Sequence, residues 1–164
     1  MRIGFAVLVL VLLAAVGAAA DPVYLDELME MPLATLQQQF PGLKKEGCYR
    51  VAAERYVLID IEKKEGKPWR VALANTPPCK RAEDLAAALD VRHRKGVEIG
   101  QRTVDVLRIM GRPDASAAPE PSLKRLGDTE YFYICRLSDG CARHTSIFVR
   151  DGLVSAISEW YSDQ

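Results

Sequence analysis

Three side chains late in the chain, Cys135, Cys141 and His144, form a C-x5-C-x2-H cluster of zinc-ligand types. A tetrahedral zinc site needs about four ligands, so His93 or Cys79 would have to complete it from far away in sequence. Cys79 is a second candidate. Lys80 and Arg81 follow it, and cations beside a free thiol lower its pKa and favour the nucleophilic thiolate. A thiol-redox or metal-dependent enzyme built on Cys79, or on Cys135, Cys141 and His144, is therefore one reading. The cysteine count argues for another. There are four, Cys48, Cys79, Cys135 and Cys141, and an even number in a chain that opens like an exported protein reads as disulfides. The chain holds no C-x-x-C, no G-x-S-x-G, no H-E-x-x-H and no phosphate-cradling loop. His93 and His144 are the only histidines and both read as surface side chains. Asp128 and Glu130 alternate along a strand, the ordinary spacing of solvated carboxylates. The expectation is no catalytic residue, no metal and no cofactor.

Four cysteines allow three pairings. Cys48–Cys79 and Cys135–Cys141 keep each bond within one half of the chain. Loop-closure entropy gives the first about 3–4 kcal/mol and the second about 2 kcal/mol. Cys135 and Cys141 flank the turn Ser138-Asp-Gly140, where residues facing across a hairpin meet the Cα spacing a disulfide requires.

The aromatic residues of the last strands carry a different chemistry, that of a contact surface. Alternation along Tyr131–Leu137 puts Tyr131, Tyr133 and Leu137 on one face and Phe132 and Ile134 on the other. Ile147 and Val149 oppose Phe148, and Ile157 opposes Trp160. Both sheet faces are thus partly apolar, whereas a sheet covered on one side is polar on the other. One reading is a second packing surface. The other is a partner surface carrying Tyr131, Tyr133, Phe148 and Trp160, since clustered aromatics mark interfaces.

The chain opens with Arg2, an apolar run from Phe5 to Val16, and Ala18-Ala19-Ala20 before Asp21. That is the pattern of a signal peptide over residues 1–20, cleaved after Ala20. The run is short of the roughly 20 residues a spanning helix needs, so the mature chain is expected to carry no stable membrane anchor and to be periplasmic or secreted. Lys plus Arg and Asp plus Glu each number 22. Zero net charge excludes a general nucleic-acid binder and a polybasic membrane patch.

The elements that would position these residues follow from periodicity. Leu25, Leu28 and Met29 fall at helical spacing between Asp21 and Met31. Pro32 opens a second helix with Leu33, Leu36 and Phe40 inward, and Pro41-Gly42 stops it. Tyr49–Val51, Tyr56–Ile61 and Trp69–Leu73 read as strands, and Pro77-Pro78 breaks the run. Ala82, Leu85, Ala86 and Leu89 at i, i+3, i+4, i+7 predict a helix ended by the basic run Arg92–Lys95. Thr103 caps the next helix, Val104, Leu107 and Met110 line its inner face, and Gly111 stops it. Ala115–Pro121 reads as a mobile loop. Strands follow at Tyr131–Leu137, Thr145–Arg150 and Leu153–Trp160, the last two joined by a tight Asp151-Gly152 turn.

The run Val97-Glu-Ile-Gly-Gln-Arg-Thr-Val-Asp-Val-Leu-Arg-Ile-Met-Gly-Arg-Pro-Asp114 resembles the helix motif of the SmpA/OmlA (BamE-like) outer-membrane assembly proteins. Ile147-Phe-Val-Arg-Asp-Gly-Leu-Val-Ser-Ala-Ile157 is similar to their closing hairpin. The tandem order of elements and the four cysteines resemble the beta-lactamase-inhibitor protein fold. No lipid-attachment cysteine stands near Asp21, unlike the outer-membrane members. The resemblance implies an α+β fold of two tandem helix-loop-helix plus antiparallel-sheet units with helices on one face. The first is a degenerate unit over 21–80, the second a BamE-like unit over 81–164. It also implies a role through protein contact. The function expected is an exported, non-catalytic protein-protein interaction module, an envelope scaffold or inhibitor-like binder.

Overall fold

Strand is the prevailing element among the described residues of this chain. The structure is a computed structural model, and it describes residues 21–43, 46–61, 66–85, 88–136 and 142–161. The expected signal peptide, the Ser138–Gly140 turn and Cys141 lie outside the described residues, as does the side chain of Cys135. In chain order the elements are β1 (Val23–Tyr24), α1 (Leu25–Glu30), α2 (Leu33–Gln39), β2 (Glu46–Ala52), β3 (Arg55–Ile61) and β4 (Pro68–Ala74). Then follow β5 (Glu83–Asp84), β6 (Val91–Arg92), α3 (Thr103–Met110), β7 (Ala115–Ala117), β8 (Thr129–Arg136), β9 (Ala142–Arg150) and β10 (Leu153–Tyr161). One eight-stranded sheet runs in the order β5-β2-β3-β4-β10-β9-β8-β7, and β1 pairs separately with β6. The middle of the sheet is the antiparallel pairing of β4 with β10, Leu73 opposite Ile157 and Arg70 opposite Trp160. Strands from both halves of the chain therefore share one ladder.

The Asp151-Gly152 turn forms as read. Both residues have positive φ, 51° and 76°, the backbone a type I′ hairpin demands. Hydrophobic alternation then divides the sheet. Val57, Ile59, Val71, Leu73, Ile147 and Ile157 face one side, where Leu25, Leu28 and Met29 of α1, Leu36 of α2, Phe40 and Val106 of α3 cover them in one core. At the start of α1, the Tyr24 N–H donates to the Glu27 carboxylate (3.2 Å), occupying one of the helix's free donors.

Several expectations are corrected. Among the described residues the fold is predominantly β, a mixed eight-stranded sheet with three short helices, and not two helix-loop-helix units on antiparallel sheets. The helix expected from Ala82 to Leu89 is absent from the described residues. Instead β5 runs parallel to β2, and the Leu85 and Leu89 amides donate to the carbonyls of Arg50 and Val51. The bond from Cys79 to Cys48 tethers this segment along the edge of β2, whose unpaired carbonyls outcompete a short helix; Leu85 and Leu89 still pack on the core. Ala115–Ala117 is not a loop but the edge strand β7, paired with Glu130–Phe132.

The third helix is also rotated relative to its reading. Val106 is buried, whereas Val104 is 53% and Leu107 40% exposed. Arg102, not Thr103, is the residue before its first turn. The Thr103 hydroxyl and amide both donate to the Gly152 carbonyl (2.9 and 3.0 Å). This tie to the hairpin turn sets which side of α3 faces the sheet.

Candidate functional site

The sheet face away from the helices is covered only in patches. Cys48, Leu58 and Ala72 pack under Cys79 and Ala82. Ala74, Phe148 and Ala156 pack under Leu126 and Leu123. The second cover is the segment Pro121–Gly127, held by the Ser155 hydroxyl donating to the Leu126 carbonyl and by Arg150 donating to the Arg125 carbonyl (3.0 Å). Gly127 passes so close to the sheet that a Cβ there would lie 2.9 Å from the Phe148 Cβ and 3.0 Å from the Val149 nitrogen.

Beside these covers an open groove of about 420 Å3 remains. Its base holds Ser146 and Ser158, opposite each other on β9 and β10 and both buried. Phe132, Trp160 and Trp69 supply aromatic walls, and Glu120 and Glu130 line its acidic side. Trp69 reaches the groove because the β3–β4 register slips between Asp60 and Ile61, leaving Trp69 as the extra residue of a bulge. The Arg70 guanidinium lies over the Trp69 ring, 4.7 Å from its centroid, and donates from Nε to Asp60 (2.7 Å). Burial pushes the Asp60 carboxyl above the usual carboxylate range, and Arg70 pulls it back only in part.

Two of these walls, Phe132 and Trp160, form a three-ring cluster with His144. His144 stacks on Phe132 (4.9 Å between centroids) and tilts against Trp160 (4.5 Å). Burial holds the His144 imidazole below its ordinary pKa, which keeps it neutral within the stack. The Trp160 indole N–H donates to the Ser146 hydroxyl (3.1 Å). The Ser158 hydroxyl is buried and has no partner among the described residues. Leaving a buried hydroxyl unsatisfied costs about 1–3 kcal/mol, so the groove holds a polar group that an occupant would satisfy.

A second polar cluster lies on the helix-covered face. The Glu159 side chain is only 5% exposed. It accepts from the Thr145 hydroxyl (3.1 Å), with His93 Nε2 at 3.3 Å and Arg143 Nε at 3.6 Å. Through His93 it ties the segment after β6 to β10. His93 also borders an open cavity of about 560 Å3. The charges there are mostly matched among themselves: Arg92 with Asp90, and Arg94 with Asp26 and Glu27. Such a lattice of surface pairs leaves little uncompensated charge for a ligand.

The residues singled out in the sequence are distributed as follows. Cys48 and Cys79 are bonded, with a Cα separation of 6.2 Å, so Cys79 presents no thiolate. The pairing of Cys135 with Cys141, and a ligand set built on them, lies outside the described residues. His144, the third member of that set, is packed in the aromatic stack. Among the described residues no three His, Cys, Asp or Glu side chains gather as metal ligands, and no helix is long and apolar enough to cross a membrane. Of the four aromatic residues proposed as one contact surface, only Phe148 and Trp160 share the open face. Tyr133 belongs to the helix-side core and donates to the Gly111 carbonyl (3.3 Å), and Tyr131 packs beside it. Phe148 is buried under Leu126. Trp160 is the one of the four that both lines the groove and reaches solvent.

Phe132, Trp69, Ser146, Ser158 and Glu120 went unrecognised as site residues. Phe132 and Trp160 share the parity opposite Tyr131 and Ile157, which was a usable signal. The bulge at Trp69 had none.

No family model matches this chain, and neither a curated protein nor a solved structure matches it.

Proposed function

We propose that this protein is an exported, non-catalytic interaction module that captures another protein in the open groove of its sheet. The observation that carries the reading is the Ser158 hydroxyl, buried and without a partner among the described residues at the base of a groove walled by Trp69, Phe132 and Trp160. Binding energy at protein contacts concentrates in tryptophan-lined sites with a few well-placed polar groups, and this groove has both. Export is supported by the Cys48–Cys79 bond, of a kind that persists outside the reducing cytoplasm. An envelope scaffold and an inhibitor-like binder both use such a face, in keeping with the protein-contact role implied by the resemblance drawn from the sequence.

The test is capture by a Trp160→Ala protein. With the circular dichroism spectrum and unfolding midpoint retained, capture of the native partner from envelope extracts drops by at least about tenfold, the loss of a typical hot-spot anchor. Undiminished capture by the folded variant contradicts the reading.

A further inference from the structure

Resting on the groove-capture reading, we propose that the groove takes a basic side chain, a lysine or arginine of the partner protein. Two independent features point to a cation. The first is uncompensated charge. Glu120 and Glu130 both line the groove, and neither carboxylate has a hydrogen-bonding or ion-pair partner among the described residues. Arg70, the one cation among the described residues that line it, is paired with Asp60 and lies against the Trp69 ring. The second is the Ser158 hydroxyl, whose residue is only 2% exposed and which lacks a partner among the described residues. It lies on the same sheet face as Trp160 and offers lone pairs to an ammonium or guanidinium N–H.

The aromatic walls complete the chemistry. Trp69, Phe132 and Trp160 line the groove, and aromatic rings attract a cation through their quadrupoles and pack against its methylene stem. A purely apolar side chain would leave the Ser158 hydroxyl unsatisfied in a groove with two carboxylates that have no partner among the described residues. An acidic one would meet Glu120 and Glu130 with like charge. A basic side chain satisfies the hydroxyl, neutralises the carboxylates and covers the rings.

The experiment is a titration of the 15N-labelled purified protein with three capped tripeptides, Gly-Lys-Gly, Gly-norleucine-Gly and Gly-Glu-Gly. The indole N–H signals of Trp69 and Trp160 and the Ser158 amide are followed by NMR. The lysine peptide is expected to shift these signals saturably. Norleucine, the same stem without charge, is expected to bind about tenfold more weakly, and the glutamate peptide not to bind. A Glu130→Gln protein, and separately about 0.5 M sodium chloride, are each expected to weaken the lysine peptide several-fold.

Equal binding of lysine and norleucine, lysine binding unchanged by Glu130→Gln, or no shift with any peptide overturns the inference. A groove that prefers norleucine overturns it while leaving groove capture standing. Groove capture itself fails only if the folded Trp160→Ala protein still takes up the native partner, so the two failures are distinguishable.

Discussion

The indole N–H of Trp160 on β10 donates to the hydroxyl of Ser146 on the neighbouring strand β9, at 3.1 Å. This bond occupies the only polar atom of the indole and fixes the ring plane. Trp160 therefore lines the groove with no donor left to satisfy. Ser146→Ala is expected to cost about 1 kcal/mol of stability, the typical net worth of one such bond, and to shift the Trp160 indole signal. An unchanged indole environment in that variant would show that the ring is held by packing alone.

The Cys48–Cys79 bond closes a loop with a sequence separation of 31 and ties β5 to the edge of β2. A Cys48→Ala, Cys79→Ala double variant is expected to lose about 3–4 kcal/mol, by loop-closure entropy. The loss should show as a lower urea midpoint with a steeper slope, because the unfolded chain without the cross-link is less compact and exposes more surface. The same variant should exchange the Leu85 and Leu89 amides faster, because their acceptors are on β2. Unaltered protection of those amides would mean that the segment holds its place without the tether.

His144 gives the stability a pH dependence of known sign. Burial lowers its pKa in the fold, so the unfolded chain takes up the proton first. The contribution is present above about pH 6.5, the ordinary histidine value. It is lost as pH falls from there towards the lowered folded value. The difference in unfolding free energy between wild type and His144→Phe, which titrates in neither state, should change across that window. A difference independent of pH between 7 and about 5 would contradict the neutral, stacked imidazole.

Glu159 is buried among Thr145, His93 and Arg143. Glu159→Ala strands these groups, with an expected cost of about 3 kcal/mol. Glu159→Gln can keep the Thr145 bond and should cost less. Urea unfolding of both variants checks the order.

Gly127 has no room for a side chain between Phe148 and Val149. Gly127→Ala is expected to cost about 1–3 kcal/mol through overpacking and to lift the segment that carries Leu123 and Leu126. Wild-type thermal stability in that variant would mean that the segment shifts freely.

The sequence carried the six long strands because each is a β-rich run bounded by turn signals and the Asp151-Gly152 turn admits few conformations; the two- and three-residue strands β1, β5, β6 and β7 have no such signature. It carried the apolar spacing of 82–89 equally well, but that pattern fits a helix and an edge-bound segment alike. A long-range bond, Cys48 to Cys79, decided between them. The face of α3 was misread because Val104 and Leu107 are apolar yet exposed, and the tie of Thr103 to Gly152 sets the rotation. At the groove, parity already separated Phe132 and Trp160 from Tyr131 and Tyr133. The approach of Glu120, the bulge at Trp69 and the stranded hydroxyl of Ser158 are tertiary facts with no local signature.

The central claim is that the partner lies on the uncovered sheet face. A photo-cross-linking amino acid placed at Phe132, in the groove, is compared with one at Gln38, exposed on α2 on the helix-covered side. The account predicts a discrete partner adduct from position 132 only, lost when Trp160→Ala is added. An adduct from position 38 with none from position 132 would contradict it.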